Sequence, residues 1–79
     1  MKIKVLFFGA TADVVGDREI QVKMPTGSNI NDANLSMVEK YPSLKRQKLL
    51  FALNQEYCSS DQVLHDGDEL AIFTAVSGG

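Results

Sequence analysis

Apolar and polar positions alternate at the start of the chain. Ile3, Val5 and Phe7 interleave with Lys2, Lys4, Leu6 and Phe8, the period of a β-strand over Lys2 to Phe8. The first set is assigned to the core. The second set begins with lysines and ends with apolar residues, an unusual pattern for a face bathed in water. Gly9 to Asp17 reads as a loop, with Gly9, Asp13, Gly16 and Asp17 as turn formers. Glu19 to Met24 reads as a second strand, with Ile20, Val22 and Met24 on one face, and a hairpin with the first strand is expected. Pro25-Thr26-Gly27 ends it.

The spacing then changes to that of a helix. Ser28 or Asn29 can cap a segment running to about Lys40, with Ile30, Ala33, Met37, Val38 and Tyr41 on one face. Asn34 belongs to that face by spacing but is polar, and Leu35 is apolar but lies off it. The helix is therefore expected either to rotate and share Leu35 or to bury Asn34 against a hydrogen-bond partner. Pro42 stops the helix, and Ser43 to Lys48 reads as a polar connection. Leu49 to Asn54 is a continuous apolar run, expected as a buried central strand. Asn54-Gln55-Glu56 is a turn and Tyr57-Cys58 a short extra strand. His65-Asp66-Gly67 turns the chain again into a last strand, Glu69 to Val76, with Leu70 and Ile72 facing one way and Ala71 and Phe73 the other.

This order predicts an α+β roll: a mixed sheet of about four to five strands packed on one main helix. The first and last strands can pair in parallel at its centre. The domain is expected to span residues 1–76, with 77–79 as a tail.

Composition narrows the function. A chain of 79 residues holds one small core and no more. Cys58 is its only cysteine and His65 its only histidine, too few for a disulfide framework or a structural zinc site. A lone cysteine fits a reducing compartment, and the run Val5-Leu6-Phe7-Phe8 is too short for a signal or membrane segment, so a cytoplasmic location is expected. The net charge is −2, and Lys45, Arg46 and Lys48 do not form a stripe that tracks phosphates. Nucleic acid and membrane are set aside as partners.

No catalytic constellation stands out. Gly9-Ala10-Thr11-Ala12 lacks the spacing and lysine of a phosphate loop. Asp66, Asp68 and Glu69 fit a solvated turn better than a calcium loop, and Cys58 fits a half-buried strand position. The remaining candidate is the ending Ser77-Gly78-Gly79. A diglycine tail has no Cβ to obstruct a narrow channel and leaves the Gly79 carboxylate sterically open. That carboxylate is ionised at neutral pH and so a poor electrophile. Activated as an acyl adenylate, it can accept sulfide or an amine. Leu6, Phe8 and Phe73 are expected to point away from the helix with Tyr57 nearby, as a partner interface.

Several stretches resemble a known family. They are Ile3-Lys4-Val5-Leu6-Phe7-Phe8, Val15-Gly16, Glu39-Lys40-Tyr41-Pro42, Ala52-Leu53-Asn54-Gln55-Glu56-Tyr57, Leu64-His65-Asp66-Gly67-Asp68-Glu69-Leu70-Ala71 and Ile72-Phe73-Thr74-Ala75-Val76-Ser77-Gly78-Gly79. In order and spacing they are similar to the sulfur-carrier small subunits of molybdopterin synthase, in the ubiquitin-like β-grasp superfamily. The chain departs from that pattern at Thr74-Ala75, where the family usually has two prolines, and at Asn34, an apolar family position. The resemblance implies a β-grasp fold and a non-catalytic carrier with no cofactor of its own. A ubiquitin-activating-type enzyme would adenylate Gly79 with ATP and magnesium, and a sulfurtransferase would supply sulfur to give a thiocarboxylate. The tail, with Val76, Ser77 and Gly78 leading to Gly79, would then enter the large synthase subunit and pass sulfur to cyclic pyranopterin monophosphate, in an assembly of two small and two large subunits. A thiamine-thiazole sulfur carrier, or a ubiquitin-like modifier conjugated through Gly79, would use the same terminus.

Overall fold

A computed structural model describes residues 1–74. The alternating start forms β1 (Lys2–Phe7), followed by a short helix α1 (Ala10–Val15), β2 (Glu19–Lys23), the main helix α2 (Ile30–Lys40) and a 3₁₀ turn over Pro42–Arg46. Then come β3 (Leu49–Leu53), β4 (Glu56–Tyr57) and β5 (Glu69–Thr74). The five strands make one mixed sheet in the order β2-β1-β5-β3-β4. β1 and β2 form the expected antiparallel hairpin, with Val5 opposite Ile20 and Ile3 opposite Val22. β1 and β5 run parallel at the centre, with Leu6 opposite Ala71 and Phe7 opposite Ile72.

One face of this sheet is dry. Ile3, Val5 and Phe7 of β1 and Leu70 and Ile72 of β5 are buried against Ile30, Ala33 and Met37 of α2. The Phe7 and Tyr41 rings meet in a T-shaped pair with centroids 6.5 Å apart. Asn29 starts α2 through a capping box. Its side chain accepts the Asp32 N–H at 2.8 Å, and the Asp32 carboxylate accepts the Asn29 N–H at 2.9 Å. Pro42 ends the helix by opening the 3₁₀ turn.

Four expectations are corrected. Gly9–Asp17 is not all loop, because α1 occupies most of it. Gly16 adopts φ 82° and its N–H closes on the Ala12 carbonyl at 2.8 Å, so this glycine ends a helix. A six-residue helix is too short to display a period. The Ser43–Lys48 connection is not wholly polar in role: Leu44 is fully buried and plugs one end of the core. β3 is not central but lies between β5 and the two-residue β4, and all five of its residues are half-buried. Neither expectation for Asn34 is met. Leu35 stays 58% exposed, and the buried Oδ1 of Asn34 has no hydrogen-bond partner among the described residues. Within the described residues the last strand ends at Thr74; its expected continuation to Val76 lies outside them.

Candidate docking face and tail exit

The sheet face turned away from α2 carries the candidate site. Strand register lines up its residues in rows. One row runs Leu6, Ala71, Ala52, Tyr57 across β1, β5, β3 and β4. The next holds Phe73 opposite Leu50, with Phe8 following β1. The row toward the other end of the strands is polar. There Lys4 lies opposite Gln21 and Glu69, and the Lys4 ammonium reaches the Glu19 carboxylate at 3.9 Å. The face is thus apolar where β5 approaches Thr74 and polar where β5 begins.

Four residues expected at an interface are brought together here. Tyr57 is 81% exposed and Phe8 53% exposed, which is costly for aromatic rings without a reason. Phe73 is half-buried, and its ring makes an edge-to-face pair with that of Tyr57, centroids 5.7 Å apart. Phe8, Gly9, Phe73 and Thr74 line one shallow apolar notch at the strand end. Leu6 is half-buried between β2 and β5. Val76, Ser77, Gly78 and Gly79 lie outside the described residues.

The sequence reading missed Leu50 and Ala52 as members of this face, having assigned their whole run to the interior. Strand alternation was the available signal. Phe51 and Leu53 pack toward the core, so Leu50 and Ala52 must point the other way.

The acidic turn has structural duties. The Asp66 carboxylate accepts the Lys2 N–H at 2.7 Å and Asp68 accepts the His65 N–H at 2.7 Å. Asn54 joins the same corner, donating to Asp68 at 3.1 Å and accepting from the Glu69 N–H at 3.0 Å. His65 is exposed, and Cys58 is half-buried beside the core. Among the described residues no cluster of three histidine, cysteine, aspartate or glutamate side chains could hold a metal, and no helix is long and apolar enough to cross a membrane. What this face offers around the Thr74 end of β5 is an apolar surface for adhesion.

The chain is similar along nearly its whole length to known proteins. A sulfur carrier subunit of molybdopterin synthase from Escherichia coli is 38% identical over 80 residues, covering 98% of this chain and 99% of the relative. Its counterpart of the same name in Arabidopsis thaliana is 37% identical over 81 residues, covering 100% of this chain and 84% of the relative. Among solved structures, the small archaeal modifier protein 1 of H. volcanii superposes with a TM-score of 0.85 at 25% identity, covering 95% and 98% of the two chains. These are ubiquitin-like β-grasp proteins, and the five-stranded mixed sheet with its packed helix is that fold. The ThiS family profile matches residues 5–79, nearly the whole chain, and the chain belongs to the ThiS family.

Proposed function

We propose that this chain is the sulfur carrier of a molybdopterin synthase, working through the carboxylate of Gly79. The observation that carries this reading is the near-full-length similarity to proteins named molybdopterin synthase sulfur carrier subunits. The apolar face around the Thr74 end of β5 supports it independently, because a carrier must dock by its body and deliver by its tail.

The chemistry divides between partners. An ATP-dependent adenylating enzyme binds the outer sheet face. A Gly79 carboxylate oxygen attacks the α-phosphorus of ATP, an acyl–phosphate anhydride forms, and pyrophosphate leaves. Sulfide, released from a sulfurtransferase persulfide by a thiol reductant that leaves as a disulfide, attacks the acyl carbon. The C–S bond forms, AMP leaves, and a thiocarboxylate remains. The loaded carrier then docks on the large synthase subunit. There sulfur passes to cyclic pyranopterin monophosphate, and water restores the carboxylate. The carrier supplies no acid or base of its own in these steps, and its working site is the cytoplasm.

One observation favours a second reading. The chain also superposes on a small archaeal modifier protein, and a modifier would join its activated Gly79 to a lysine amine. Intact-mass analysis after incubation with the adenylating enzyme, ATP and a sulfur source separates the two. A carrier gains the mass of one oxygen-to-sulfur exchange at its terminus and converts the pterin precursor when the large subunit is added. A modifier instead yields amide-linked conjugates. A chain that gives neither, and that behaves alike with and without Gly79, refutes both readings.

A further inference from the structure

β5 reaches Thr74 with β3 beside it to the last residue, since Leu49 pairs with Thr74. Its other neighbour gives out earlier. β1 ends at Phe7, opposite Ile72, and the chain then turns into α1. The Ile72 carbonyl meets the Thr11 hydroxyl there, at 2.8 Å and across 61 positions of sequence. Thr11 is 0% exposed. The same oxygen lies 2.8 Å from the Phe8 carbonyl and accepts the Phe8 N–H at 3.1 Å. Its one hydrogen is shared between two carbonyls, so a buried hydroxyl ties the end of β1, the start of α1 and the last core residue of β5.

Valine would fill nearly the same volume at position 11. The hydroxyl adds only the tie, and the tie sits two residues before Thr74. We infer that Thr11 is a positioning residue: through the Ile72 carbonyl it sets the direction in which the chain leaves the sheet. The inference rests on the reading that Gly79 carries the activated acyl group. Neither Thr74 nor Ala75 restricts φ as proline does, so alignment must come from contacts upstream.

The experiment uses the full chain with Thr11→Val, Thr11→Ser and Thr11→Ala. Adenylation by the ATP-dependent activating enzyme is followed as pyrophosphate release, and backbone order at Phe73 and Thr74 by ¹⁵N relaxation. In Thr11→Val we expect order parameters at those two amides to fall from about 0.85 toward 0.6. The kcat should drop roughly fivefold to tenfold while KM stays within about twofold, because docking is intact and delivery is not. Thr11→Ser restores both readouts. If Thr11→Val does not fold, Ser and Ala form the deciding pair, since both lack the methyl and only one keeps the hydroxyl. A wild-type kcat in a folded hydroxyl-less variant overturns the inference, as does a loss that falls on KM or that serine does not repair. The wild-type chain is assayed first. If it is not adenylated at all, the proposed function fails and takes this inference with it, a result readable apart from any variant.

Discussion

At the scale of single residues, polarity and position disagree at two places with opposite meanings. Phe73 alternates outward from the dry core, yet it is half-buried and pairs with an aromatic neighbour on the outer face. Under the proposed function, such a ring at the centre of an apolar face would anchor the partner. Phe73→Ala should weaken binding to the large synthase subunit by about 2 kcal/mol. The isolated domain should stay folded, because Leu70 and Ile72 hold the core. Titration calorimetry on the variant, with circular dichroism of the free chain, checks both parts; unchanged affinity would remove Phe73 from the interface. Asn34 is the converse case, a polar residue whose buried Oδ1 lacks a partner among the described residues. It lies beside Val38, Leu44 and Phe51. An unpaired buried acceptor costs on the order of 1–3 kcal/mol. Asn34→Leu should therefore raise stability by about 1 kcal/mol, visible as a higher urea midpoint at unchanged slope.

At the scale of elements, the ends decide more than the middles. α2 is anchored by the Asn29–Asp32 capping box, so Asn29→Ala should cost about 1 kcal/mol, and thermal unfolding would register the loss. The β3–β4 hairpin turns on Asn54 and Gln55 with φ of 50° and 71°, as a two-residue turn of the primed kind requires. Asparagine tolerates that region; glutamine pays a steric penalty there. Gln55→Gly should stabilise the chain by about 0.5–1 kcal/mol. That corresponds to a few degrees in Tm for a domain of this size, and a fall in Tm would mean that the glutamine side chain contributes something the turn geometry does not explain. The two helical segments that escaped sequence reading, α1 and the turn over Pro42–Arg46, are a single turn or so each. Their reason to exist is tertiary: Thr11 and Leu44 each insert one fully buried side chain.

At the scale of the whole molecule, the proposed function gives body and tail separable duties. The core consists of the inner sheet face, α2, Leu44 and Leu64, all among the described residues. Adding one residue after Gly79 should leave the melting temperature unchanged and abolish thiocarboxylate formation, since the acyl group is displaced from where activation occurs. Mass spectrometry of the extended chain, with trimming excluded by its intact mass, is the check. Sulfur loading of the untrimmed chain would contradict the role assigned to Gly79.

The local parts of this fold were legible from sequence because local physics makes them. Alternation at Ile3-Val5-Phe7 and at Leu70-Ile72 marks strands with one buried face, Asn29 and Pro42 bound a helix, and His65-Asp66-Gly67 turns the chain. The acyl chemistry proposed for the diglycine ending also comes from sequence, because glycine has no Cβ to cover a terminal carboxylate. Tertiary structure alone decided the strand order, which moved β3 away from the centre. It also decided the pairing of Leu50 with Phe73, the Tyr57–Phe73 contact and the tie from Thr11 to Ile72. Each joins residues separated by many positions, and their energy comes from closure of the sheet around a shared core. No window of a few residues carries a signature of that closure, so the apolar outer face became visible only when the strands lay side by side.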